Sequence, residues 1–242
     1  MHMRPKKWAR PELQACPFFI NAIKGDDAEP GVLKNTWRQR FQTPEKPLHL
    51  EVGCGKGVST ARMIADHPEI NYVAADLNFD VLGSARRNIV AACGEKPENV
   101  WLLMADVCFI GQVFGEEDLV ERIYISFCNP WTEHVRHEKR RLTHPRQLMQ
   151  YRTFLIEGGE IHFKTDDETL FRDSLRYFDL CGFETVYLTE DLHASGYGPN
   201  YVSEHEAKFT AQNIPIRFGI FRKGVEEPNF DPTRFRLHNI HE

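Results

Sequence analysis

A carboxylate beside a glycine-rich stretch is the first part of the sequence that could do chemistry. The segment Glu51-Val52-Gly53-Cys54-Gly55-Lys56-Gly57 places an acid two residues before a GxGxG loop. Glycines let a ligand approach the backbone closely, and a helix that follows offers free N–H groups. The spacing differs from the GxGxxG of pyrophosphate-binding folds, and a nearby acid suits a cationic ligand. The candidate ligand contacts are therefore Glu51, Gly53, Gly55 and Gly57, although a plain tight turn would use the same glycines.

Two more acids follow later apolar runs. Asp76 comes 19 residues after Gly57, the distance at which such folds place an acid on ribose hydroxyls. Asp106 follows the apolar run 100–104 and is placed to accept a hydrogen bond from an exocyclic amine. Each acid alone also fits a helix cap or a solvated turn. Together with Glu51, they describe a ligand that carries an ammonium, a ribose and an adenine, an inventory that S-adenosylmethionine fits.

A polar corner follows the fourth apolar run. In Ser126-Phe127-Cys128-Asn129-Pro130-Trp131, an amide, a proline and an aromatic ring come in succession. Asn129 could point its amide at the edge of a base while Trp131 offers a stacking face. The alternative is a turn in which Asn and Pro serve the backbone and the tryptophan belongs to the core.

Basic residues cluster directly after this corner. Residues 134–146 contain five Lys or Arg and three His, in a chain whose formal net charge is −5. The overall charge does not favour nucleic-acid binding, so any such function has to rest on this local patch. Lys and Arg in such a patch bind phosphates without reading sequence, although charge runs are also ordinary solvated faces. The candidate contacts are Arg136, His137, Lys139, Arg140 and Arg141, and a second basic set lies around Trp8: Arg4, Lys6, Lys7 and Arg10.

Alternating strands and helices must position these residues. We predict strands over 48–52, 72–76, 100–104, 123–127, 160–164, 184–188 and 214–221, and helices over 57–67, 80–93, 145–156 and 168–180. This order predicts an α/β fold with a mostly parallel seven-stranded sheet and helices on both faces, which binds ligands beyond the carboxyl ends of its strands. We expect residues 1–46 to form an irregular basic extension and 47–242 to form one catalytic domain, with a long polar loop over 192–206 before the last strand.

Composition narrows the class of protein. Hydrophobic residues make up 41% and charged residues 27%, as in ordinary globular domains. No apolar stretch approaches ~18 residues, so we expect a soluble cytoplasmic protein. The six cysteines show no zinc-ligand spacing, and the Glu and His residues near 193 and 203–206 lack a third ligand, so no metal is expected.

Taken together, these stretches resemble the bacterial tRNA (guanine-N7-)-methyltransferases of the TrmB type. The similarity runs from about residue 48 to residue 221. The matching motifs are Glu51 to Gly57, Arg136-His137-Glu138-Lys139-Arg140-Arg141-Leu142-Thr143, Gly159-Glu160-Ile161-His162-Phe163-Lys164-Thr165-Asp166, Asp191-Leu192-His193 and Ser203-Glu204-His205-Glu206-Ala207-Lys208-Phe209. The resemblance implies a Rossmann-like class I methyltransferase that methylates N7 of guanosine 46 in the tRNA variable loop, working as a monomer or a homodimer.

The resemblance also implies a role for each matching residue. Binding of S-adenosylmethionine falls to the glycine loop and to Glu51, Asp76, Asp106 and Asn129. Contact with the target guanosine falls to Asp166 and to Ser203, Glu204, His205 and Glu206, and contact with tRNA falls to the basic residues of 136–141. By position, Asn129 and Asp166 are the catalytic residues, and Glu133 is a further substrate contact.

The sequence departs from the family at the corner. Where the family commonly has Asp-Pro-Trp-Pro-Lys, this chain has Asn129-Pro130-Trp131-Thr132-Glu133. Guanine N7 carries a lone pair and no proton, so its methylation requires alignment and accommodation of positive charge rather than an obligatory base. We therefore expect the mechanism to be retained. Two alternatives stay open: a tRNA-binding module without turnover, and a methyltransferase acting on an exocyclic amine, because Asn-Pro-Trp partly matches the Asn-Pro-Pro-aromatic corner of amino methyltransferases.

Overall fold

The computed structural model describes residues 5–23, 31–225 and 228, and eight strands in this part of the chain form one sheet. The strand order is β1-β4-β3-β2-β5-β6-β8-β7. Strands β1 to β6 pair in parallel, and β8 runs antiparallel to both β6 and β7. The strands are β1 (Phe19–Asn21), β2 (Leu48–Val52), β3 (Asn71–Asp76), β4 (Val100–Met104), β5 (Val120–Ser126), β6 (Leu155–Thr165), β7 (Phe183–Thr189) and β8 (Arg217–Lys223).

Helices cover both faces of the sheet. They are α1 (Ala9–Gln14), α2 (Val58–Asp66), α3 (Phe79–Cys93), α4 (Pro145–Phe154), α5 (Glu168–Leu180) and α6 (Glu204–Thr210). Successive residues of a strand point to opposite faces. On β3, Val73 packs in the cluster that holds the buried side chains of α4 and α5, whereas Tyr72 and Ala74 pack with those of α2 and α3. Burial on both faces explains why the central strands are continuous apolar runs in the sequence.

The strand order reverses at β2, which lies between β3 and β5. Chain connections therefore leave β2 and β5 in opposite directions, and a crevice opens between them at the carboxyl edge of the sheet. The glycine loop follows β2 and the polar corner follows β5. The fold thus brings together two segments about 70 residues apart in the sequence, as the α/β prediction requires.

The α/β class with a mostly parallel sheet is confirmed, and the predicted number of strands is one too low. The additional strand, β1, pairs in parallel with β4 through Phe19 and Leu102 at the edge of the sheet. The expectation of an irregular start is also wrong for β1 and α1. A three-residue strand and a six-residue helix are too short to show periodicity, so they depend on contacts with the rest of the fold.

The polar segment before the last strand contains a helix that the sequence prediction lacks. Ser203 caps α6, because its hydroxyl accepts a hydrogen bond from the Glu206 backbone N–H at 3.1 Å. The seven-residue helix is too short for an apolar stripe to reveal it, although a Ser followed by acidic residues is a start signal. The division of the chain at residue 46 stays a prediction, while Trp37 from the first part is fully buried in the main core. Within the described residues, no helix is long and apolar enough to cross a membrane.

Candidate active site

The glycine loop is fixed at its two ends and open in its middle. All three glycines adopt positive φ, between 56° and 78°. The Gly53 backbone N–H donates to the Ala75 carbonyl at 2.8 Å, which ties the loop to β3. A Cβ atom on Gly57 would lie 2.9 Å from the Ala85 Cβ, so this glycine permits the close approach of α2 and α3. A Cβ on Gly55 would meet nothing within 4 Å, and a ligand can therefore approach the backbone there.

Glu51 is a buried acid at the carboxyl end of β2. Its side chain accepts a hydrogen bond from the Thr60 hydroxyl at 2.5 Å, and the residue is 4% exposed. Burial raises the pKa of Glu51 to about 7, against the opposing effects of the Thr60 hydrogen bond and the Lys164 ammonium. Glu51 and Lys164 line a cavity of about 210 Å³, together with residues 199–201. A cationic group arriving here would stabilise the ionised form of Glu51.

Asp76 and Asp106 lie at the ends of the two neighbouring strands. Asp76 accepts hydrogen bonds from the Gly55 and Asn78 backbone N–H groups at 3.0 and 3.1 Å, and burial raises its pKa. Asp106 accepts from the Cys108 backbone N–H at 2.9 Å and so caps the short 3-10 helix that follows β4. The structure thus brings Asp76 directly to the glycine loop, while Asp106 also serves as a helix cap, the alternative that the sequence left open.

Two residues of the corner after β5 have left-handed backbone conformations. Phe127 has a φ of 54° and Trp131 a φ of 49°, a region that costs a non-glycine residue of order 1 kcal/mol or more. The Asn129 side-chain oxygen accepts a hydrogen bond from the Trp131 backbone N–H at 3.0 Å, and Asn129 is exposed. The Phe127 ring stacks on the rings of His205 and Phe209, with centroids 6.3 and 6.1 Å apart. The corner therefore presents the Asn129 amide beside an aromatic wall.

Arg141 connects this corner to α5. Its guanidinium donates to the Pro130 carbonyl at 2.6 Å and to Asp173 at 2.7 Å, and its side chain is 1% exposed. The prediction that Arg141 contacts tRNA therefore needs correction, because burial and these partners make it a brace between the corner and α5. Its neighbour Arg140 is exposed, with its Cζ 5.2 Å from the centroid of the Trp131 ring.

Most of the basic cluster lies on the surface, whereas His144 is buried. Residues Val135–Arg140 form a 3-10 helix on which Arg136, Lys139 and Arg140 are exposed. The His137 ring contacts the Trp131 ring edge-on at 5.8 Å; desolvation, with the charges of Arg136 and Arg140, lowers the pKa of His137. Glu133 is exposed at the start of this segment. The cluster thus offers an accessible cationic surface next to Asn129.

Asp166 and the start of α6 lie on the side of the crevice opposite the acids Asp76 and Asp106. Asp166 follows β6, is half-buried, and has a pKa raised by burial. Ser203 is occupied as the cap of α6, and the carboxylate of Glu204 reaches back to Lys56 in the glycine loop at 2.7 Å. His205 packs against Phe127, so Glu204 and His205 are the two residues of 203–206 that contact the glycine loop or the corner.

Glu206 does not face the crevice. It is fully buried, with Lys164 at 3.3 Å, the Asn200 amide at 2.6 Å and the His193 ring at 3.1 Å. The prediction of a contact with the target guanosine is corrected here, because these partners make Glu206 an anchor for α6 and for the segment before it. Sequence reasoning also missed Lys164 as the cation at the centre of this network. The available signal was a lysine on the buried strand β6.

Within the described residues, no group of three or more His, Cys, Asp or Glu side chains could hold a metal ion. The chemistry that these residues do offer is carboxylate, amide and aromatic recognition at the crevice, next to a cationic surface.

Comparisons with known proteins agree with this geometry. Residues 45–217 match the family described as "Putative methyltransferase". Relatives include the tRNA (guanine-N(7)-)-methyltransferase of Clostridium perfringens strain SM101, which is 51% identical over 92% of this chain and 100% of the relative. The enzyme of the same description from Acetivibrio thermocellus is 44% identical over the same shares. Among solved structures, the 16S rRNA methyltransferase KamB superposes with a TM-score of 0.55 at 14% identity, over 77% of this chain and 90% of that one.

This structural likeness shows the fold alone, which is that of Rossmann-like class I methyltransferases. The identity of 51% to the Clostridium perfringens enzyme extends over nearly the whole of both chains. The chain belongs to the family of tRNA (guanine-N(7)-)-methyltransferases.

Proposed function

We propose that this protein transfers a methyl group from S-adenosylmethionine to N7 of guanosine 46 in the variable loop of tRNA. One observation carries the proposal: the buried Glu51, the loop at Gly55 and the exposed Asn129 meet at the edge where the strand order reverses, next to exposed cations. The names of the relatives supply the substrate and the position on the base. Because the proposed substrate is tRNA, we also propose a cytoplasmic localisation.

The residues at the edge fit S-adenosylmethionine. The buried carboxyl of Glu51 suits an ammonium group, and the unobstructed backbone at Gly55 leaves room for the ligand. Asp76 has the position of a ribose contact, and the neighbouring Leu77, which is 54% exposed, offers an apolar surface to a flat base. When bound, S-adenosylmethionine supplies an electrophilic methyl group on a sulfonium. Asp106 would contribute an acceptor for an exocyclic amine beside its capping role.

The protein's side chains have to orient the guanine and to stabilise the positive charge that develops on it during methylation. The Asn129 oxygen can accept a hydrogen bond from a guanine N–H while it keeps the Trp131 backbone in place. N7 attacks with its lone pair, and positive charge develops on the base. Asp166, half-buried at the neighbouring strand end, provides a negative field for that charge. No side chain has to remove a proton, so an amide can occupy the position where the family has a carboxylate.

The exposed cations hold the rest of the RNA. Arg136, Lys139 and Arg140 lie beside the corner and suit phosphate groups, and the Trp131 ring under Arg140 suits a stacked base. The corner lacks the second proline of the Asn-Pro-Pro-aromatic corner of amino methyltransferases, because Trp131 directly follows Pro130. This difference favours guanine N7 over an exocyclic amine as the methyl acceptor.

The test combines the full chain, methyl-labelled S-adenosylmethionine and an unmodified tRNA transcript. We expect label in 7-methylguanosine, mapped to position 46, and none in a matched transcript with adenosine at that position. Label in N6-methyladenosine would favour the amine alternative, and label at any atom other than guanine N7 would reject the proposal. Tight binding of tRNA and S-adenosylmethionine with no methylated product would establish the non-catalytic alternative instead.

A further inference from the structure

The N-terminal segment brings a second set of cations to the carboxyl edge of the sheet. Lys6, Lys7 and Arg10 border a shallow pocket of about 420 Å³, whose other wall is formed by Leu77–Asp80 and Met104. Residues 77–80 directly follow Asp76 at the carboxyl end of β3, and Met104 is the last residue of β4. Arg4 of the predicted basic set lies outside the described residues.

This segment is firmly packed on α3. A Cβ atom on Gly83 would lie 2.6 Å from the Ala9 Cβ, so α1 and α3 are in close contact there. The Arg87 guanidinium lies 3.4 Å from the centroid of the Trp8 ring and pairs with Glu12 at 2.5 Å. Such a combination of cation–π contact, ion pair and close packing fixes the backbone that carries the cations.

Two of the three cations are available to a ligand. The Lys6 ammonium is bonded to the Asp80 carbonyl and the Ser84 hydroxyl. Lys7 and Arg10 are exposed, and neither forms an ion pair with any residue in the described part of the chain. The Arg10 guanidinium lies over the Phe79 ring at 4.5 Å, which holds it at the pocket. In a chain of net charge −5, unneutralised cations on a rigid support are complementary to a polyanion.

The two cationic surfaces lie on opposite sides of the glycine loop. The strands β4, β3, β2 and β5 are consecutive in the sheet, and neighbouring strands are ~4.8 Å apart, so three intervals separate the surfaces by about 14 Å. One surface lies past β4 and β3, and the other, with Arg136, Lys139 and Arg140, lies past β5. S-adenosylmethionine has no phosphate and a single carboxylate, so two exposed cations exceed what the donor alone requires.

We propose that Lys7 and Arg10 bind backbone phosphates of the same tRNA whose guanosine enters the crevice at Asn129. The RNA then spans the methyl-donor site and is held on both sides of it. This inference rests on the proposed function, and it adds a surface that the motif at 136–141 does not contain. Phosphate contacts of this kind position the RNA without reading its sequence.

The experiment compares the double variant Lys7→Ala/Arg10→Ala with a matched control, Lys96→Ala/Arg176→Ala. The control removes the same two charges from exposed sites away from this edge. Binding of an unmodified tRNA transcript is measured over a range of salt concentrations. We expect the double variant to bind roughly 5- to 30-fold more weakly, and its log–log salt slope to fall by about 1 to 2. The control should keep the wild-type affinity and slope.

A charge-preserving variant and the methyl donor separate the outcomes. Lys7→Arg/Arg10→Lys should bind tRNA as the wild type does, and S-adenosylmethionine affinity should be the same in all four proteins. A double variant that matches the control in affinity and slope would overturn the inference. Loss of S-adenosylmethionine binding would also overturn it, since the cations would then serve the donor. Wild-type protein that binds tRNA through Lys7 and Arg10 but forms no 7-methylguanosine would reject the proposed function alone.

Discussion

The edge at β2 and β3 and the corner after β5 face each other across one crevice, yet they are built differently. At the edge, strand ends and backbone hydrogen bonds fix the positions of Glu51 and Asp76. At the corner, a single buried guanidinium, that of Arg141, ties a loop with left-handed residues to α5. A site made by strand geometry should tolerate the loss of one side chain, whereas a site made by one brace should not. The following predictions test this difference.

We expect the largest effect from Arg141→Ala. The substitution removes the donor to the Pro130 carbonyl and leaves Asp173, which is 20% exposed, without its ion pair. Breaking such a buried pair costs about 3 kcal/mol in the free energy of unfolding. Urea denaturation measures this. Arg140→Ala is the matched control, because it removes an exposed arginine at the neighbouring position and should change stability by less than about 0.5 kcal/mol. Equal stability of the two variants would contradict the structural role that we assign to Arg141.

Asn129→Ala should have the next largest effect, on methyl transfer. It removes the amide that orients the base and the acceptor for the Trp131 N–H, and we expect a loss of roughly 100-fold in kcat/KM. Asn129→Ser separates the two roles, because a serine hydroxyl can still accept from that N–H but cannot reach a base as the amide does. Serine should restore the stability lost with alanine and little of the activity. Full activity in the alanine variant would remove Asn129 from the mechanism.

Glu51→Gln should weaken S-adenosylmethionine binding by about 10-fold, because the ammonium loses its charged partner. The same substitution should stabilise the unliganded protein at high pH. The folded pKa of about 7 lies above the ordinary 4.5, so the stability contributed by the protonated acid is fully present below pH 4.5 and is lost as the pH rises through 7. At pH 8 the glutamine variant should exceed the wild type by of order 1 kcal/mol in unfolding free energy.

Calorimetry of the methyl donor and urea denaturation at pH 5 and pH 8 check both effects. Thr60→Val is a useful comparison, because it removes the hydrogen bond to the Glu51 carboxyl while keeping the acid. A stability difference between Glu51→Gln and the wild type that does not grow with pH would contradict the raised pKa.

The smallest effect is expected for Lys56→Ala. Its ammonium pairs with Glu204 at 2.7 Å, but the two side chains are 39% and 54% exposed. Exposed pairs of this kind contribute about 0.2 to 1 kcal/mol, and salt screens them. The loss of stability should therefore shrink in high salt. Arg172→Ala breaks exposed pairs with Glu168 and Glu190 far from the glycine loop, and its loss of stability should also be small and shrink in high salt. A larger loss for Lys56→Ala that salt does not reduce would show that the contact is not a simple surface pair.

Strand geometry was largely readable from the sequence. The predicted strands 48–52 and 100–104 and the helix 168–180 have the observed bounds, because buried parallel strands and amphipathic helices leave strong patterns. The acids at strand ends followed from the same logic. Short elements were missed, as β1 and α6 show, because their stability comes from partners distant in the sequence.

The burial of individual charged side chains could not be predicted from the sequence. Arg140 and Arg141 are adjacent and chemically identical, yet one is exposed over Trp131 and the other is 1% exposed. Glu204 and Glu206 differ in the same way. Which of two like neighbours turns inward depends on a half-buried partner of opposite charge, such as Asp173 or Lys164, that lies more than 30 residues away. No local pattern carries that information.

The position of β8 between β6 and β7 in the sheet has a consequence for how the protein folds during its synthesis. Among the strands of the described residues, β7 pairs with β8 alone, and 27 residues separate the two strands in the chain. During synthesis, β7 therefore leaves the ribosome before its pairing partner, because β8 is complete only when residue 223 has been made. The parallel half of the sheet can assemble earlier. During synthesis there should thus be a stage in which the edge of β6 has no strand paired to it. An unpaired strand edge is prone to aggregate, so we expect chaperones to bind the chain at that stage.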